Sequence, residues 1–426
     1  GGGPGHVLFG PPPRDERVRR GAETSCVYNY EDKYRFARIL RPGALVFDSH
    51  FEAGNLQAAH VVHHPRPEKL FQEYDLLLSN DVNSRGNTRQ WFYFRVGNAR
   101  PGLEVKFNVA NMGKSDSLFN HGQRPLVFSQ VDASNGKGWQ HVGYNIRYVA
   151  NEILEQEREG TEISPKKRRR KKKKKKKGKK GKKGSSSPVD DDDEALYTLT
   201  FTYKFEHADD LVYFAHSYPY TYSDLLRSLR ALEMHPGRRR TFRRAQLCRT
   251  LARNPVPLLT ITAPAASPEE ALARPAVVFT GRAHPGEANG SWVMKGVLQF
   301  LTSEHPAARA LRRLFVFKVV PMMNPDGVVN GNYRHSLAGL DLNRHWHRDD
   351  PALTPTVSAV KALIRRLSRV REVLTVIDIH GHSRKEGVFM YGCVPDMRWV
   401  AEGGALDRPP PPGTRQPALT PAERAW

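Results

Sequence analysis

Two short segments of this 426-residue chain hold residue types and spacings able to do chemistry. Gly281-Arg282-Ala283-His284-Pro285-Gly286-Glu287 places an imidazole and a carboxylate three residues apart across a Pro-Gly turn. Both can reach one zinc ion at about 2.0–2.2 Å, although H-x-x-E on its own arises by chance in many proteins. The second segment, Asp378-Ile379-His380-Gly381-His382-Ser383, offers two more imidazoles. One of them would complete a set of two histidines and one carboxylate, with the fourth position left for water, as in catalytic zinc sites. Between the two segments lie Asn324-Pro325-Asp326-Gly327, a turn signal, and a polar stretch over 332–346 with Arg334, Asp341, Asn343 and Arg344. Arginines presented in a cleft suit bidentate capture of a carboxylate.

The elements that must position these groups are legible around them. Short apolar runs at 275–280, 314–320 and 373–379 read as strands, and 288–301 and 357–370 carry helical spacing of apolar residues. Strands alternating with helices predict an α/β domain with a parallel or mixed sheet, whose sites form at the carboxyl ends of strands. His284 follows the first strand and His380 the third. Upstream, from about 25 to 230, the pattern changes to short alternating strands, among them 90–96, 103–109, 142–149, 196–203 and 209–215. Several such runs with polar turns predict an antiparallel β-sandwich, and 222–232 reads as a helix leading out of it.

The net charge of +23 is unevenly spread. Between Lys166 and Lys183 stand sixteen basic residues, and five acids follow at Asp190 to Glu194, so this segment holds about half the excess. A block of like charges cannot bury surface, so a disordered insertion between two strands is expected, able to meet polyanions or to direct nuclear entry. Three widely spaced cysteines argue against a disulfide framework and for a reducing cytosol. There is no apolar run of membrane-spanning length and no signal core in the first twenty residues. Phosphate-loop and nucleophile-elbow motifs are absent from the sequence. The competing class is a non-catalytic protein that grips polyanions, acidic protein tails or nucleic acid, through the basic tract.

Taken together, H-P-G-E after a strand, N-P-D-G, N-Y-R with D-L-N-R, and D-I-H-G-H-S-R-K-E-G resemble the zinc carboxypeptidase superfamily. The resemblance is to its cytosolic carboxypeptidase subfamily in particular, which removes glutamates from tubulin and other proteins. It extends over about 25–400, apart from the basic insertion, and includes Trp91-Phe92-Tyr93-Phe94 and His216-Ser217-Tyr218-Pro219-Tyr220-Thr221-Tyr222. It implies one zinc ion per chain on His284, Glu287 and His380, with His382 as the rival third ligand. It further implies Asp341 orienting His284, Arg334 polarising the scissile carbonyl, and Asn343 and Arg344 holding the substrate's terminal carboxylate. Arg384 and Lys385 would favour acidic side chains, while Tyr333, His335, His345 and His347 read as packing or surface residues. Acidic protein C-termini or polyglutamate chains become the expected partners, in the cytoplasm and at microtubules or cilia.

One part of the family pattern is missing. The family's general-base Glu lies several tens of residues beyond the third ligand, whereas 46 residues follow His380 here. Glu386 matches another part of the motif, and Glu402 and Glu423 stand in a Pro- and Ala-rich tail. No base is assigned, and the chain reads as a carboxypeptidase truncated at its C-terminus that binds zinc and hydrolyses little. The expected organisation is a disordered 1–24, a sandwich domain over 25–235 with the insertion at about 157–195, an incomplete catalytic domain over 236–400, and an irregular 401–426.

Overall fold

The computed structural model describes residues 25–31, 43–63, 66, 68–158, 195–382 and 385–392. The first 24 residues, the basic insertion, Arg384, and the tail with Glu402 and Glu423 lie outside the described residues. Five of the strands form one sheet of the N-terminal half: β2 (Val46–Asp48), β5 (Tyr93–Gly97), β7 (Leu126–Ser129), β8 (Gln140–His141) and β11 (Val212–Ala215), in the order β2-β5-β11-β7-β8. Six others form the second: β1 (Ser25–Asn29), β3 (Ala58–Val61), β4 (Phe71–Leu77), β6 (Glu104–Met112), β9 (Tyr144–Ala150) and β10 (Tyr197–Lys204), ordered β1-β3-β4-β6-β10-β9. All pairings are antiparallel except β4 with β6.

Alternation along each strand builds the core between these sheets. Val105, Phe107 and Val109 of β6 are fully buried, and they face Phe94 and Phe214 of the opposite sheet. The rings of Phe94, Phe107, Phe201 and Phe214 meet at centroid distances of 5.1 to 6.2 Å. The basic insertion leaves this sandwich from neighbouring strands, since β9 and β10 pair directly, with Ala150 opposite Tyr197. A helix, Asn151–Arg158, follows β9 before the described residues break off.

The second half is a mixed sheet in the order β12-β13-β15-β14-β16: β12 (Phe242–Arg249), β13 (Pro255–Ile261), β14 (Ala276–Gly281), β15 (Val316–Val320) and β16 (Val373–Ile379). The three strands read from sequence, β14 to β16, run parallel, whereas β13 is antiparallel to both of its neighbours. Val277 and Phe279 of β14 pack toward the helices Tyr222–Met234 and Ala288–Leu301, while Ala276 and Val278 pack toward Pro355–Ser368. This two-faced burial is what the continuous apolar runs encode. Strands β12 and β13 carry no such signal: β12 is Arg-rich and mostly exposed, and β13 contains two prolines. Leu314 ends an unexpected helix, Pro306–Leu314, so β15 starts later than its apolar run. Among the described residues β16 lies at a sheet edge, with Leu374 half exposed, and no helix is long and apolar enough to cross a membrane.

His216, just beyond β11, gives the sandwich a built-in acid sensitivity. Its ring is surrounded by Trp91, Phe92 and Phe119, at 5.6 to 6.3 Å, and its Nδ1 is sealed from solvent without a hydrogen-bond partner. Burial, helped by the nearby Lys114 charge, pushes its pKa down to about 4. The unfolded chain therefore takes up a proton near pH 6.5 that the folded one refuses, and stability falls as pH drops from there toward 4. Denaturation at pH 7 and pH 4.5 should show about 2–3 kcal/mol of acid loss that is absent in His216→Gln.

Candidate metal centre

The turn after β14 is built to hold His284 and Glu287 over the strand end. Arg282 adopts φ 57°, and its fully buried guanidinium donates to the carbonyls of Pro285 and Tyr220 and to Ser291 Oγ. Burial lowers the Arg282 pKa to about 9, and the Glu287 charge opposes the fall. Gly286 lies against Tyr333, where a Cβ would collide with the tyrosine ring and approach its carbonyl oxygen to 2.9 Å. The Gly286 N–H donates to that same oxygen, at 2.7 Å. Glu287 then occupies the N-terminal end of the helix Ala288–Leu301, where exposed backbone N–H groups favour a carboxylate.

His380 arrives from the end of the neighbouring β16. His284 Nδ1 is 2.9 Å from Glu287 Oε1, and His380 Nδ1 is 3.0 Å from Glu287 Oε2. The ring centroids are 4.9 Å apart, and the ligand atoms of all three residues lie within 4.8 Å of one another. The outer nitrogens are held as well: His284 Nε2 is 3.0 Å from Asp341 Oδ1, and His380 Nε2 is 2.6 Å from Asp378 Oδ2. Carboxylates behind metal-binding imidazoles fix their orientation and raise their basicity, so this donor set fits a zinc ion. Burial opposes charge on His380, yet its contacts with Asp378 and Glu287 push the pKa up to about 10. His284 is also raised, because Asp341 and Glu287 outweigh its burial. Glu287 is held far below the ordinary carboxylate range, the two imidazoles overcoming desolvation. Metal loading must therefore displace the proton that His380 holds at neutral pH.

The remaining residues singled out in the sequence take distinct places. Asp341 joins two of them, pairing with Arg334 Nη2 at 2.7 Å while it touches His284. Asn343 Nδ2 is 3.5 Å from His380 Nε2, and Asn343 Oδ1 accepts from Trp346 Nε1 at 2.7 Å. Arg344 is exposed one residue on. His382 stays out of the cluster: it is exposed, and its Nδ1 accepts the Lys385 N–H. Lys385 itself lies over the rings of Phe389 and Tyr391, and Glu386 is exposed. The Asn324-Pro325-Asp326-Gly327 stretch is structural. Asn324 caps the short helix Pro325–Val329, and buried Asp326 accepts from Thr250, Ala252 and Asn254.

Two contributors escaped the sequence reading. Asp378 sits on β16 two residues before His380, which directly follows the strand, and alternation continued by one residue puts both on one side, a signal available in D-I-H. Asp81 had no signal, because it comes from the sandwich. Its buried carboxylate accepts the backbone N–H groups of Tyr333, Arg334 and His335 at 2.6, 2.7 and 2.7 Å. Nearby, Asn332 Oδ1 accepts the Val82 N–H and Asn83 donates to the Leu337 carbonyl. At Gly339, φ is +71° and a side chain would strike the Asn83 backbone.

Comparison with known proteins agrees with this architecture. Residues 226–385 match the zinc carboxypeptidase family, and residues 47–152 match the cytosolic carboxypeptidase N-terminal domain. Cytosolic carboxypeptidase 2 of Xenopus tropicalis is 43% identical over 350 residues, covering 82% of this chain and 32% of the relative. Human cytosolic carboxypeptidase 1 is 43% identical over 357 residues, covering 82% of this chain and 26% of the relative. The chain thus spans about a third or less of the length of these two relatives. A metallo-carboxypeptidase from Burkholderia cenocepacia shares the fold, with a TM-score of 0.54 at 23% identity over 80% of this chain and 71% of that one. The chain belongs to the zinc carboxypeptidase family, in its cytosolic carboxypeptidase branch.

Proposed function

We propose that the chain serves a zinc metallocarboxypeptidase that removes C-terminal or side-chain glutamates from acidic protein tails such as those of tubulin. The observation that carries this reading is the convergence of His284, Glu287 and His380, with a carboxylate behind each imidazole. When bound there, zinc supplies Lewis acidity toward water and carbonyl oxygen. Arg334, which pairs with Asp341 at 2.7 Å, would on release donate to the oxygen on which negative charge develops. Asn343 lies beside His380 and Asp341, the exposed Arg344 follows it, and the two suit capture of a terminal carboxylate. Asp341 and Asp378 keep the imidazoles oriented with their Nδ1 atoms inward. None of the described residues is assigned as general base, so slow hydrolysis is expected of this span. The relatives' shared designation as cytosolic supports a cytoplasmic setting.

The test measures zinc content and glutamate release from a polyglutamylated peptide, for the chain and for His284→Ala. Stoichiometric zinc that is lost in the variant, with little glutamate released by either, is the expected result. Chelator-sensitive release at a robust rate would mean that a base is present after all. A chain that takes up no zinc would end the enzymatic reading.

A further inference from the structure

Away from the histidines, near the amino-terminal ends of β14 and β16, the mixed sheet carries a cleft of about 690 Å3. Its wall is made by Arg243, Thr260 and Lys318, which stand in register on the adjacent strands β12, β13 and β15. Arg274 and Arg371, from the residues just before β14 and β16, line it too, as do the exposed Arg239 and Arg240. Among the described residues, no aspartate or glutamate lines this cleft. An adjoining recess shares Arg274 and adds three more arginines against two glutamates, Glu270 and Glu304.

The inner cations are held in place by neutral groups. Lys318 Nζ donates to Thr260 Oγ1 at 2.8 Å, and Arg371 Nη1 donates to the carbonyls of Ala271 and Arg274, both at 2.8 Å. Arg274 has one carboxylate partner, Glu270 at 2.6 Å, yet its buried Nε has no acceptor. Burial, then repulsion from Arg371 and Arg366, lowers the Lys318 pKa. Like charges gathered in a concave, partly desolvated wall focus a positive potential outward, and an anion relieves the repulsion. A lone small anion would engage two or three of these groups. Six cations drawn from several separate segments match charges repeated along a chain.

We infer that this cleft binds a glutamate-rich stretch of polypeptide, a second foothold for an acidic tail besides the metal centre. The identity of the ligand rests on the function proposed above, whereas the anion site itself does not. A fluorescent decaglutamate with a C-terminal amide is the probe, because the amide removes the carboxylate that Asn343 and Arg344 would hold. The chain should bind it at low salt, more weakly as salt is added, and equally well after zinc is chelated. Binding without any zinc uptake would leave this site standing while the metal reading fell. Arg239→Ser/Arg240→Ser/Arg243→Ser, made at exposed positions, should weaken binding ~10-fold or more while zinc content and fold stay unchanged. Lys318→Met tests the inner wall and should weaken binding in the same direction. Undiminished binding by the triple variant would assign the peptide to the tract between Lys166 and Lys183 and overturn the cleft. Preference for inositol hexakisphosphate or an oligonucleotide over the peptide, with the same arginine dependence, would overturn the polypeptide ligand.

Discussion

Glu287→Ala should reduce zinc affinity by more than ~100-fold, a larger effect than that of any residue behind the ligands. One carboxylate faces both imidazoles through its two oxygens and accepts the Gly381 N–H at 2.7 Å through the second. It therefore supplies a ligand atom and also fixes the separation of the other two. Its removal takes away the one anionic ligand, and the weaker hold of the two imidazoles on protons once that counter-charge is gone offsets the loss only in part. Asp341→Asn and Asp378→Asn act one step further out. Each keeps all three ligands and disturbs a single ring, so ~10–100-fold is expected of either. Competition against a chromophoric chelator at pH 7.5 measures all three, with circular dichroism to confirm folding. Equal affinities for Glu287→Ala and the two outer variants would remove Glu287 from the metal site.

What could be seen in the sequence followed from how local the signal is. Strand β14 is buried on both faces as its continuous apolar run announces, whereas β16, read from the same kind of run, is an exposed-to-half-buried edge among the described residues. Trp292, Val293 and Phe300 of the helix Ala288–Leu301 face solvent, although Leu298 and Leu301 are buried. His284 and Glu287 are separated by a tight turn, so their meeting is set by local geometry. The choice of His380 over His382 is different. It depends on where β16 ends relative to β14, a register between strands nearly a hundred residues apart: Gly281 pairs with Ile379, and His380 follows directly. Strands β12 and β13 were hidden because one face of β12 is solvated by arginines, which removes the apolar alternation. The stretch Asn324-Pro325-Asp326-Gly327, a turn signal in the sequence, works as a cap and an anchor. Asp326 satisfies two side chains and a backbone N–H on the loop between β12 and β13.

Asp81 marks the limit of local reading, and it carries the second large prediction. Three consecutive N–H groups of the segment bearing Arg334 converge on its carboxylate, whose side chain is 1% exposed. The same segment supplies the Tyr333 carbonyl that holds the Gly286 N–H. The sandwich thus reaches into the metal centre as a positioning element: Asp81 sets the backbone of Arg334, Arg334 pairs with Asp341, and Asp341 orients His284. Asp81→Asn keeps the volume, but with its one amide oxygen on the Arg334 and His335 N–H groups its NH2 meets the Tyr333 N–H, and the charge that all three solvate is gone. A loss of at least ~3 kcal/mol in unfolding free energy is expected, since hydrogen bonds to a buried charge are worth more than neutral ones. Hydrogen exchange separates this from general damage: the amides of Tyr333, Arg334 and His335 should lose protection first, while those of β6 and β10 keep theirs. Zinc affinity should fall by no more than ~10-fold, because both rings retain their carboxylates. Arg334→Ala makes the complementary case. It leaves the three N–H groups on Asp81 and should cost little stability, so in the double variant its effect on zinc affinity, exerted through Asp341, should shrink if Asp81 acts through Arg334. Full additivity, with protection of the three amides unchanged, would reduce Asp81 to an ordinary interdomain contact.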